Sequence, residues 1–101
     1  MFQPLDGPSI QGVLSVGTGA VVEAKVGASV FTDRKVITIQ PEGKVYVLFA
    51  SEGSTPSLAD LSTKGFIQYK NAKDTYEVGE QQKVYLLSVA GTINVRIAER
   101  S

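Results

Sequence analysis

The chain has 101 residues, ten basic and ten acidic, and contains neither Cys nor His. Its length is that of one domain with a modest core. The charge balance disfavours nucleic acid, whose binders carry a basic excess. The composition excludes disulfides and thiol chemistry, and it removes the commonest general base and transition-metal ligand.

No apolar run approaches membrane-spanning length, and no membrane partner is expected. The opening "MFQPLDGPSIQG" lacks the basic start and apolar stretch of a secretory signal. A soluble chain made in a cytoplasm is therefore expected. Thirteen Val, six Ile and seven Thr outnumber eight Ala, and side chains stiff at χ1 suit strands better than helices.

Residues 1–11 hold Pro4 and Pro8 and show no periodicity. They read as an extended N-terminal arm. Phe2, Pro4, Leu5 and Ile10 are its apolar residues, and such a segment is either disordered or lies along a neighbour's sheet edge. The domain proper is expected over 12–101.

"VLSV" (13–16) reads as a short strand, with Gly17 and Gly19 making a turn or bulge. "AVVEAKVG" (20–27) and "RKVITIQ" (34–40) alternate as strands. The Arg34-Lys35 pair opening the second reads as solvated. "QPEGK" (40–44) has the residues of a tight turn, which predicts that "KVYVLFA" (44–50) pairs antiparallel with the strand before it.

Residues 51–65 are polar; "TPSLADL" within them fits one or two helical turns ending near Gly65, or a loop. "FIQYK" (66–70) and "TYEV" (75–78) read as strands about an Asn/Asp turn. "QKVYLLSV" (82–89) follows. "INVRIAER" (93–100) has the clearest period-2 pattern, with Ile93, Val95 and Ile97 inward and Asn94, Arg96 and Ala98 outward.

"KVYVLF" from Lys44 and "KVYLL" from Lys83 nearly repeat. Neither alternates, so each is expected to be a central strand covered on both faces, by the opposite sheet and by an arm, a loop or a partner. The fold expected is all-β: one antiparallel sandwich or flattened barrel of about seven to eight strands.

Little in the chain has the spacing of a chemical site. Asp74, Glu77 and Glu80 could form an acid/base pair or hold a hard cation, but they read as a wet hairpin edge among Lys70, Lys73 and Lys83. "GTG" (17–19) precedes a β-branched run, not the helix a phosphate cradle requires. "STK" (62–64) supplies the letters of a Ser–Lys dyad in a polar stretch. The tyrosines 46, 69, 76 and 85 and the phenylalanines 31, 49 and 66 read first as core or subunit contacts and second as a stacking platform. No cofactor, metal or enzymatic activity is expected.

The run "GTGAVVEAKVGASVFTDRKVITIQPEGKVYVLFASEG", followed after a polar loop by "YEVGEQQKVYLLSVAGTINVRIAER", resembles the small β-sandwich proteins encoded among the virion structural genes of tailed bacteriophages. The resemblance spans about residues 17–99 and rests on apolar positions and turns. It implies a non-enzymatic virion protein: a capsid decoration or cement protein, a head-fibre base, or a neck or tail component. It also implies assembly as a trimer or dimer against the major capsid protein or another virion protein. On that view Phe2, Pro4, Leu5 and Ile10 grip a neighbour, while Tyr46, Tyr85 and Phe49 support the core. A rival from another class is a carbohydrate-binding or receptor-binding adhesion module that stacks exposed tyrosines on sugar rings.

Overall fold

The computed structural model describes residues 9–27, 30–51, 55–79 and 81–101. Strands form at β1 (Ser9–Val16), β2 (Val22–Glu23), β3 (Val36–Pro41), β4 (Val45–Ser51), β5 (Phe66–Gln68), β6 (Asp74–Glu77), β7 (Gln82–Ser88) and β8 (Ile93–Arg100), with one helix, α1 (Leu58–Lys64). They build two four-stranded sheets, β1-β8-β3-β6 and β2-β7-β4-β5. All the pairings are antiparallel. The all-β sandwich expected from the sequence is thus present. Pairing first with last, second with seventh, third with sixth and fourth with fifth is the nesting of a jelly roll, a long hairpin rolled over into two layers.

That nesting overturns one expectation. The turn between β3 and β4 makes no hairpin, because the two strands lie in different sheets. It carries the chain from one layer to the other, and Glu42 N–H, at the turn, donates to Asn94 O instead of closing a β3–β4 ladder. A tight turn fits either geometry; what decides is that Ile37 and Ile39 and the inward valines of β4 must face each other across the core.

Two boundaries also moved. Strand β1 begins at Ser9, so Ile10 and Gln11 are not in the arm: they pair with Glu99 and Ala98 of β8. Conversely, only Val22 and Glu23 of the run 20–27 are in a strand. Ala24 N–H still reaches Val84 O, but Val26 N–H donates to the Glu99 carboxylate at 2.8 Å. A side-chain acceptor ends the ladder there.

The twin phrases are neighbours. Strands β4 and β7 run side by side, with Tyr46 opposite Leu87 and Leu48 opposite Tyr85. One face of this pair, with Val45, Val47, Val84 and Leu86, joins Ile37, Ile39, Val95 and Ile97 in the core between the sheets. The other face, with Tyr46, Leu48, Tyr85 and Leu87, packs around the buried Leu61 of α1. A second cover is present as expected, but it is a helix and not the arm, loop or partner the sequence suggested.

Helix α1 is short and needs its ends held. Ser57 is the N-cap of a full capping box: its hydroxyl accepts from Asp60 N–H at 3.2 Å, and the Asp60 carboxylate accepts from Ser57 N–H at 3.0 Å. Those bonds, aided by Lys64, hold the Asp60 carboxyl below the usual range. At the other end Gly65 is needed for clearance, since a β-carbon there would lie 2.6 Å from Leu61 O and 3.0 Å from Val47 O.

Leu61→Ala removes the only buried side chain of α1, and it is expected to cost about 2–5 kcal/mol in urea unfolding. Ser57→Ala, which removes only the cap, is expected to cost about 0.5–2 kcal/mol. Equal costs would mean that α1 is held by its cap and not by Leu61.

Candidate functional site

The expected candidates do not converge. Asp74 and Glu77 lie three apart on β6, so their side chains leave opposite faces of the strand. Glu80 lies outside the described residues. Ser62 and Lys64 sit two apart on α1 and do not face each other. The Ser62 hydroxyl donates to Ala59 O, and Lys64 pairs with Asp60. No helix follows Gly17 and Gly19, which lead into β2. Among the described residues no cluster of His, Cys, Asp or Glu could hold a metal ion.

The aromatic residues separate into different surroundings. Tyr85 is buried under the helix. Phe49, Phe66 and Tyr76 form a three-ring cluster with centroids 5.3–6.0 Å apart. The Tyr76 hydroxyl donates to Gln68 Oε1, and the buried Gln68 donates onward to Ile39 O and Ala72 O. Burial, with the nearby Asp74 carboxylate, pushes the Tyr76 phenol up to about 12. Tyr69 stands in solvent with Lys44 Nζ 5.4 Å from its ring centre. The four tyrosines share no exposed face. Of the arm residues, Phe2, Pro4 and Leu5 lie outside the described residues. Ile10 is on β1, partly exposed at the sandwich rim.

The sequence reading missed a buried ion pair. Arg34, expected in solvent, is buried, and so is Glu99. Arg34 Nη1 donates to Glu99 Oε2 at 3.0 Å and to Ala24 O at 3.3 Å. Nη2 donates to Gln82 O at 2.7 Å and to Gly79 O at 3.3 Å. The carboxylate also accepts from Val26 N–H and from Phe31 N–H. Asp33, at φ 57, makes the local reversal that brings Arg34 inward, a backbone region Asp tolerates better than most residues. Arg34 Nε has no hydrogen-bond partner, so burial of the guanidinium keeps part of its desolvation cost. The group closes one end of the sandwich. It is enclosed by protein and makes no opening for a substrate.

Two features face outward. One is an apolar edge. Phe66, Ile67 and Tyr69 are exposed along β5 and just beyond it, and Leu58 is exposed on α1. Strand β5 pairs only with β4 among the described strands, which leaves its other side open. The second is a bowl of about 460 Å³ on the outer face of the β1-β8-β3-β6 sheet. Compared with known proteins, the chain matched no family model, no curated protein and no solved structure.

Arg34→Met leaves Glu99 as an unpaired buried charge and is expected to cost about 3–5 kcal/mol in urea unfolding. Adding Glu99→Gln removes that charge and keeps a carboxamide oxygen for one of the two amides that donate to separate carboxylate oxygens, so the double variant is expected to recover part of the loss. A single variant within about 1 kcal/mol of the parent would contradict the pair's role.

The raised Tyr76 pKa predicts a pH dependence. The unfolded phenol loses its proton near 10 and the folded one near 12, so the unfolded state binds fewer protons between these values and stability falls as pH rises through that window. Ultraviolet titration of the folded protein is expected to show one of the four tyrosines ionising near 12, a step absent from Tyr76→Phe.

Proposed function

We propose that this chain is a non-enzymatic structural protein of a tailed-phage virion, a capsid decoration or cement protein that stabilises the particle by bridging neighbouring subunits. The observation that carries the proposal is the apolar edge. Isolated soluble domains rarely expose large contiguous apolar patches, and an unpaired strand edge invites another chain. Ile67 and Tyr69 beside the open side of β5 supply side chains and backbone groups for such a contact. A standard stable interface removes roughly 1,200–2,000 Å² from water. A single small patch gives less, and a shell of many copies compensates through multivalency.

The fold is compatible with this role without selecting it, since jelly rolls serve capsid, lectin and cupin domains alike. The resemblance read in residues 17–99 to phage virion proteins is what favours the virion role among these. In this reading the arm, with Phe2, Pro4 and Leu5, grips a neighbouring subunit. Ile10 extends the grip from the start of β1. The reading includes assembly as a trimer or dimer: the same edge shared by two copies makes an isologous dimer, and a trimer joins the edge of one copy to a different patch on the next.

The boundary at Ser9 sharpens the test. Deleting residues 1–8 leaves every β1–β8 pair intact, whereas deleting 1–11 removes the pairs Ser9–Arg100, Ile10–Glu99 and Gln11–Ala98. The shorter deletion is expected to keep the circular dichroism and melting temperature of the parent. It is also expected to lower the amount of this chain found by mass spectrometry in purified particles. Full incorporation without residues 1–8 would leave the arm without a role. Absence of the full-length chain from particles would overturn the virion reading itself.

A further inference from the structure

The outer face of the β1-β8-β3-β6 sheet has a feature that subunit bridging does not use. Register sets three rows across it. Val13, Arg96 and Gln40 are level, then Gln11, Ala98 and Thr38, then Ser9, Arg100 and Val36. The short Ala98 and the nearly buried Thr38 lie in the middle row, between larger side chains on the rows to either side. The result is a bowl with a floor of Ala98 and Thr38 and a rim that includes Arg96, Arg100, Gln11, Gln40 and Lys73.

The charge on this rim is one-sided. The chain as a whole is neutral, yet three cations and no acid line the bowl. Glu42 pairs with Arg96 at 3.3 Å from outside it. Glu77 stands on the row of Arg100, one strand past Val36. Lys73 has no ion pair among the described residues. The Arg100 guanidinium donates a long hydrogen bond, 3.5 Å from Nη2 to Thr38 Oγ1. Gln40 Nε2 donates to Asn71 O, which leaves its carboxamide oxygen to accept.

We infer that this bowl is a binding site for a carboxylate-bearing sugar. Arg96 and Arg100 leave the same face of β8, about 13 Å apart along the strand, and their long side chains can reach in over Ala98. An arginine fork suits a carboxylate, and the Gln11 and Gln40 carboxamides supply the mixed donors and acceptors that sugar hydroxyls need, while the Thr38 hydroxyl is held by Thr75 Oγ1 at 3.0 Å. The volume falls in the range of small-ligand sites. An extended acidic peptide fits less well. The floor lies on β8 and β3, which are paired on both sides, so their backbone groups are already used and recognition falls to side chains alone. No aromatic ring lines the bowl, so the affinity is weak, with Kd on the order of 1 mM. This site does not depend on the virion reading.

The test is an amide-shift titration of the isotope-labelled full chain with a galacturonate trimer. Neutral galactose, inorganic phosphate and a glutamate tripeptide serve as comparison ligands. The expected result is saturable shifts at Thr38, Arg96 and Ala98 with the uronate, weakened by added salt and absent with galactose. Arg100→Gln and Lys73→Gln are expected to weaken binding several-fold, the latter from a position outside the strands where folding is not at stake. Ala98→Gln fills the floor and is expected to abolish binding while core amide positions stay unchanged. No shift with the uronate at about 20 mM, well above the expected Kd, overturns the proposal. Equal shifts with phosphate (a bare anion site) or with the glutamate peptide (an acidic-protein surface) overturn it too.

Discussion

Arg34 and Glu99 stand 65 positions apart and meet in the interior with neither exposed to water. Their hydrogen bonds reach Ala24, Val26 and Phe31 on one side and Gly79 and Gln82 on the other. In a jelly roll almost every connection crosses between layers, so the ends of the sandwich are made of crossing segments with backbone groups that no ladder can satisfy. Here one carboxylate and one guanidinium satisfy several of them at once. An apolar pair of equal volume would fill the space, but it would leave the Val26 and Phe31 amides without acceptors, a cost of about 1–3 kcal/mol each. The pair is therefore held in place by the backbone groups it satisfies, as much as by the attraction between its two charges.

Much of the fold was legible in the residues, and the failures share a cause. The non-alternating phrases at 45–49 and 84–87 announced strands covered twice, because apolar residues on both faces need two covers. The period of two in β8 was read correctly as far as Ala98. Carried one residue further, it places Glu99 inside, and an inward carboxylate requires a partner; that signal was present and unused. Its partner was not legible, because nothing near Arg34 in sequence distinguishes a buried guanidinium from a wet one. The β3–β4 turn was misread for a similar reason. Pro41 and Gly43 specify a reversal, but whether the reversal stays within a sheet is decided by distant strands. The polar composition of 51–65 fits a loop as well as a helix, and the signal that separates them is the capping-box spacing of Ser57 and Asp60.

The same layering arranges the surfaces on which function must rest. One sheet hides its outer face under α1, and the other leaves its outer face open, with the bowl over Ala98. The apolar edge at β5 lies on the helix-covered sheet, at the opposite side from β2. The candidate contact for a neighbouring subunit and the candidate ligand bowl therefore belong to different layers, and neither blocks the other. Both stand on a framework with a packed core and a bolted end.

The Arg34–Glu99 pair closes the sandwich as part of its global structure. Native-state hydrogen exchange at the Val26 and Phe31 amides, both donors to Glu99, tests it most directly. These two amides are expected to exchange only when the whole domain opens, with the same free energy and denaturant dependence as the β3 and β8 amides. Exchange of Val26 and Phe31 through local fluctuation, orders of magnitude faster than the core strands and insensitive to denaturant, would contradict it.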